Sequence, residues 1–160
     1  MISLVRCDDR LIHGQCIVRV VADFGIRHIV VVDEFVAGNP VLKSIFMMAA
    51  PEGVKVDIET AEDAAKNLDE YESSTAGTLI LMKSPEVALE LYERCPNLKK
   101  ELNIGPMSNR PNTKKATMYC YLTDSETAAV EKLCDLGVRV YFNQVTDQKT
   151  VEWKEIKENL

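Results

Sequence analysis

The sequence is poor in histidine and tryptophan: it holds two histidines, His13 and His28, and one tryptophan in 160 residues. It has no basic surplus either. Lys and Arg number 19 against 25 Asp and Glu, a formal net charge of −6. That balance argues against a general nucleic-acid binder, which needs cations to neutralise phosphates. No apolar run approaches the roughly 18 residues of a membrane span. The stretch from Met1 to Arg6 is too short for the apolar centre of a signal peptide. The five cysteines, at 7, 16, 95, 120 and 134, show no CxxC pair and no zinc spacing. They read as reduced thiols of a cytoplasmic protein, with Cys7 and Cys16 the candidates for the alternative, a reactive thiol. Neither a P-loop nor a GxGxxG pattern occurs, so nothing supports a bound nucleotide as phosphoryl donor, and no cofactor or metal is expected.

What is present is an ordinary globular balance, 46% hydrophobic and 28% charged. It excludes a disordered tail or a collagen-like fibre. A chain of this length buries roughly 70% of its unfolded surface, enough for one unstapled core. One domain over residues 1–160 is expected.

Short apolar runs alternate with helical periods. Ile2 to Val5 opens as a strand. Ile12, Cys16, Ile17, Val20, Val21 and Phe24 recur at helical spacing, closed by Gly25. Ile29 to Val32 reads as a doubly buried strand and Val54 to Ile58 as a strand nearer an edge. Asn39-Pro40 opens a helix through Met48, and Thr60 caps another through Leu68. Leu79 to Met82 is a strand, followed at once by Ser84-Pro85-Glu86, a helix start. Leu102 to Ile104 and Met118 to Tyr121 read as strands flanking a polar loop, Gly105 to Lys115. Thr123 to Glu126 is a capping box. Val138 to Phe142 is a last strand, and a terminal helix from Thr150 places Trp153, Ile156 and Leu160 on one face. The order predicts a three-layer α/β/α fold with a mainly parallel central sheet. Ligands of such folds sit beyond the C-terminal strand ends, here on the loop after strand 1.

That loop holds two carboxylates, two arginines, a histidine and a glycine between Arg6 and Gly14. A neutral imidazole is a nucleophile toward phosphorus, and its product carries negative charge that needs donors around it. Arg10 supplies a guanidinium fork suited to phosphate oxygens. Gly14 admits close backbone approach, and a helix starting near His13 aims N–H groups at an anion. Asp8 and Asp9 either cap and solvate the loop or hold Arg10 or a ring N–H of His13. Lys83, at a strand end, is either a solvated cation or a phosphate ligand. Arg110, Lys114 and Lys115 are either solvated or form a phosphate rim or docking patch. His28 lies at the wrong end of its strand for chemistry.

Asp8-Asp9-Arg10-Leu11-Ile12-His13-Gly14-Gln15 resembles the signature of the IIB component of the mannose/fructose/sorbose family of the bacterial sugar phosphotransferase system. Ile29 to Glu34, Ala49-Ala50-Pro51, Lys83 to Glu86 and Asn103-Ile104-Gly105 follow in family order. The resemblance implies a transient phosphohistidine at His13, with Arg10 and Asp9 as its catalytic neighbours. On the family pattern Arg10 would steady the phosphoryl group while Asp8 and Asp9 shape the loop, and Asp8, Gly14, Gln15, Lys83 and Arg110 are the expected phosphate-binding residues. The resemblance also implies a IIA component as donor, a sugar as acceptor, and IIC and IID membrane subunits that admit the sugar. Two positions depart from the pattern: Val20 where members often carry Trp, and Pro106 where many carry a second glycine. Because Ile2 already begins the first strand, a free-standing IIB domain is expected.

Two other readings compete. In a receiver-like signalling domain, Asp8 and Asp9 would hold Mg²⁺ and Asp57 would accept the phosphoryl group. In a non-catalytic domain, the strand-end crevice would only hold a small anion.

Overall fold

A computed structural model describes residues 1–145 and 148–160. In chain order the elements are β1 (Ile2–Cys7), α1 (Gly14–Phe24), β2 (Ile26–Val32), α2 (Glu34–Ala37), α3 (Pro40–Met48), β3 (Lys55–Glu59), α4 (Ala61–Ser73), β4 (Gly77–Met82) and α5 (Pro85–Arg94). There follow β5 (Glu101–Ile104), β6 (Thr113–Thr117), β7 (Cys120–Thr123), α6 (Asp124–Asp135), β8 (Arg139–Phe142), β9 (Val151–Glu152), α7 (Trp153–Ile156) and a closing 3₁₀ turn.

Seven strands form one sheet in the order β3-β2-β4-β1-β5-β8-β9. All neighbours are parallel except β8 and β9. The β-branched run of β2 lies deep in the sheet, where both faces are covered. On one face α4, α5 and α6 bring Ala64, Tyr71, Leu91, Tyr92, Val130 and Leu133 onto Val5, Ile80, Leu102 and Phe142. On the other, α1 brings Ile17, Val20 and Val21 onto Leu4, Ile29, Val31, Leu79 and Leu81. Val20, where a tryptophan is common, is almost fully buried in that second core.

Local capping sets the helix starts as expected. Asn39 accepts from Val41 and Leu42 N–H, Thr60 from Asp63 N–H and Ser84 from Val87 N–H. Thr123 and Glu126 make the reciprocal capping box. Gly25 closes α1 in the left-handed region, at φ 62°.

Two stretches differ from the sequence reading. The loop expected from Gly105 to Lys115 ends in β6, which pairs antiparallel with β7 as a separate hairpin. Met118 and Tyr119 form its exposed turn rather than a strand. The helix expected from Thr150 is preceded by β9, which pairs with Tyr141 and Phe142. Helix α7 is then one turn, with Trp153 buried against Phe142 at a ring separation of 6.1 Å.

Tyr92 fastens the end of α5 to the start of β5. Its hydroxyl lies 2.6 Å from the Lys99 carbonyl oxygen and 3.0 Å from that of Glu101, and donates to one at a time. Burial raises this phenol above its ordinary pKa. Tyr92→Phe should cost about 1 kcal/mol, read from the urea midpoint at unchanged m-value.

Candidate functional site

The C-terminal ends of β1, β4 and β5 are knitted together by backbone bonds that continue past the strands. Asp8 N–H donates to the Met82 carbonyl at 3.0 Å, and Gly105 N–H donates to the Cys7 carbonyl at 2.8 Å. The loop from Asp8 to His13 grows from this platform. Leu11 N–H closes a turn onto the Asp8 carbonyl at 3.0 Å. Leu11 and Ile12 plunge into the core, while Arg10 and His13 on either side are exposed. Leu11 has φ 57°, a left-handed conformation that a side chain disfavours, held here by its burial.

His13 is the N-cap of α1, with extended backbone and no side-chain capping bond. Its imidazole is therefore not spent on the helix. Gly14 follows at φ 59°, and open space surrounds the position a Cβ would take. Glycine is required there by backbone conformation rather than by crowding. Gln15 is exposed in the first turn of α1.

The two aspartates have separate tasks. Asp8 is buried, accepts from Arg10 N–H at 3.0 Å and lies 3.9 Å from Arg10 Nε. Asp9 reaches across to the loop after β5, accepting from Ser108 N–H at 2.8 Å and Ser108 Oγ–H at 2.6 Å. Its own N–H donates to the backbone carbonyl of residue 106, here Pro106, at 3.3 Å, a bond that does not depend on the proline ring.

Arg6, the last residue but one of β1, turns beneath the loop. It is 2% exposed and donates to Asn103 Oδ1 and, at 2.6 Å, to the Gln144 carbonyl oxygen. Gly105 leaves the room it needs, since a Cβ there would overlap the guanidinium. Burial lowers the Arg6 pKa, while the nearby Asp8 charge acts to raise it. Composition gives no hint of this burial. The signal was positional, because Arg6 falls at an inward register of a buried strand.

Lys83 stands 3.8 Å from Asp33, whose other oxygen caps α2 at Val36 N–H. The pair occupies the ends of β4 and β2. Arg110 does not stand free as a rim cation. Its guanidinium donates to the buried Glu126 carboxylate at 3.0 and 3.4 Å, to the Tyr121 carbonyl at 3.0 Å and to the Ser108 carbonyl at 3.1 Å. It thus braces the loop that Asp9 holds. Lys114 pairs with Asp124 at 3.6 Å.

His28 lies in the first half of β2, 2.7 Å from Asp57 and edge-on to Tyr71. Asp57 lies in the middle of edge strand β3 and is also 3.3 Å from Lys55, so it is not presented at a strand end as a receiver requires. Cys7 is fully buried and burial pushes its thiol well up, which makes it inert. Cys16 is half-buried. Among the described residues no helix is long and apolar enough to cross a membrane.

Taken together, a parallel α/β sheet presents an unspent imidazole and a guanidinium on its first strand-end loop, as a phosphotransfer domain would. The sequence profile described as "PTS system sorbose subfamily IIB component" matches residues 2–159, and the chain belongs to that family. It is a phosphotransfer component of a sugar phosphotransferase system. The fructose-specific EIIB component of Bacillus subtilis (strain 168) is 28% identical over 99% of this chain and 97% of its own length. The IIBSor domain of the sorbose permease from Klebsiella pneumoniae superposes with a TM-score of 0.89 at 28% identity, covering 99% of this chain and 96% of that one. The mannose-specific EIIAB component of Escherichia coli (strain K12) is 29% identical over 93% of this chain and 46% of its own length. The receiver-like reading finds no support in these relatives.

Burial pushes the Asp8 carboxyl upward, while the Arg10 N–H and the Arg6 and Arg10 charges pull it down. The folded state therefore holds this proton more tightly than the unfolded chain does. Stability from Asp8 is present below the ordinary carboxyl pKa of about 3.9 and is lost as pH rises through the raised value. Asp8→Asn keeps an acceptor for Arg10 N–H and cannot ionise. Its unfolding free energy should gain on wild type as pH rises from about 4. Urea titrations across that range check this, and a pH-independent difference contradicts it.

Proposed function

We propose that His13 is the phosphoryl carrier of this IIB component. The observation that carries the reading is an exposed imidazole at the N-cap of α1, uncommitted to capping, beside exposed Arg10. One imidazole nitrogen attacks the phosphorus of a phosphohistidine on a IIA partner. The N–P bond to the donor breaks as the bond to His13 forms, and the donor imidazole leaves with the electron pair. A sugar hydroxyl at the IIC/IID membrane subunits then attacks the same phosphorus; the N–P bond breaks, the His13 imidazole leaves with the electron pair, and the hydroxyl proton restores it to neutral imidazole. The EIIAB name of the Escherichia coli relative supports a IIA donor. The acidic net charge of −6 supports protein and sugar partners rather than a nucleic acid.

Catalysis on this reading is positioning and electrostatics. Arg10 is held at its base by Asp8, leaving its guanidinium exposed toward an incoming anion. The free N–H groups of the first turn of α1 lie at the positive end of an 11-residue helix. Asp9 fixes the facing loop through Ser108, and Arg110 fixes it through Glu126. Lys83 stands at the end of β4, paired with Asp33 at the end of β2, and adds a further cation to the strand-end face.

Incubation with phosphorylated IIA should give an acid-labile, base-stable adduct on the wild-type chain. His13→Gln should take no label. Arg10→Ala should be labelled at a rate lower by about a hundredfold, the scale of losing one transition-state donor. Equal labelling of His13→Gln and wild type overturns the reading.

A further inference from the structure

Helix α3 is apolar on two sides, and the fold covers only one. Leu42 and Phe46 are half-buried against the second core. Val41, Ile45 and Met48, spaced one and two turns apart, are 69%, 54% and 85% exposed. Phe35 of α2 adds a fourth large apolar side chain, 69% exposed. Helix α3 contains no fully buried residue and one charge, Lys43. The outward faces of α4 and α5 carry Glu62, Lys66, Glu90 and Arg94 instead. A helix apolar all round belongs in an interior, so the outer stripe of α3 lacks its cover.

We propose that this stripe is the standing contact with the sugar-translocating membrane subunits; the inference rests on the phosphoryl-carrier reading of His13. Three observations choose that occupant. First, α2 starts at the end of β2, which only β4 separates from β1, so the stripe begins about 10 Å across the sheet from the His13 loop. A partner held on the stripe therefore lies within one ordinary footprint, about 800 Å², of the His13 loop without having to cover it. Second, the stripe alone amounts to a few hundred Å², roughly half of what a stable dimer buries per partner. Self-pairing through α3 therefore falls short, whereas a partner already touching the strand ends makes up the difference. Third, the stripe is almost uncharged, as in long-lived interfaces, and it is offset toward the β3 edge. A donor that must come and go is served at the α1 N-terminus while the α3 contact stays closed.

The test uses membrane vesicles with the cognate IIC and IID subunits, matched vesicles without them, and phosphorylated IIA. Val41→Asp/Ile45→Asp and the milder Val41→Ser/Ile45→Ser change only exposed positions. Both should be labelled on His13 at the wild-type rate. Both should bind subunit-bearing vesicles at least about tenfold more weakly and need correspondingly more protein for half-maximal sugar phosphorylation, with kcat retained. Unchanged binding overturns the proposal. So does slower labelling by IIA with intact vesicle binding, which makes the donor the occupant. Equal wild-type binding to subunit-free vesicles overturns it in favour of a lipid surface, and a wild-type dimer that the variants dissociate overturns it in favour of a second copy. His13→Gln should bind like wild type. Failure of the carrier reading shows separately, as absence of label on wild type, while the vesicle arm still reads the stripe.

Discussion

A guanidinium buried beneath the His13 loop is the constraint on which the candidate site depends. Arg6 lies one residue before the end of β1 and spends its donors on Asn103 of β5 and on the Gln144 carbonyl just past β8. Asn103 passes the link on to Asn143 at 2.9 Å, and Asn143 to Thr150 at 3.4 Å. Burying a charge is expensive unless it is hydrogen-bonded and balanced, and Asp8 supplies the opposite charge from the loop itself. One side chain thereby fixes the relative positions of three strand ends. It also explains Gly105, whose missing Cβ is the space the guanidinium occupies.

The loop above this layer is held from both flanks. Asp8 folds back on Arg10, while Asp9 reaches forward to Ser108. The facing loop is in turn anchored through Arg110 to Glu126 in the α6 capping box. Leu11 is kept in a left-handed backbone conformation because its side chain is locked in the core. Rigid support of this kind would suit the phosphoryl carrier proposed at His13, whose surroundings would then need no rearrangement.

Most of this was legible where the cause is local. Asn39, Thr60, Ser84 and Thr123 cap the helices their sequence neighbourhoods announce, because a cap is decided within four residues. The apolar runs at Ile29 and Leu79 announce buried strands for the same reason. Thr113 to Lys115 reads as loop because its polar residues carry no apolar alternation, and the strand character of β6 comes from pairing with β7. Met118 and Tyr119 mislead in the opposite sense, being apolar residues on an exposed turn. The two-residue β9 exists only because β8 lies beside it. Within the candidate site, the DDRLIHGQ stretch carried the family resemblance, but the buried Arg6 and the clamp of Asp9 on Ser108 connect residues about a hundred positions apart. Arg110 reads from sequence as a rim cation because Glu126, its buried partner, lies on another element.

The sheet's two borders differ in a way that bears on solubility. At one side β9 is two residues long, too short to template another strand. At the other, β3 offers five residues of backbone along its outer side. Lys55, Asp57 and Glu59 occupy alternate positions there, with Asp57 pinned between Lys55 and His28. Charges at every second residue of a free border penalise edge-to-edge pairing with another chain. The protein can thus expose the apolar stripe of α3 next to this border without the border itself seeding aggregates.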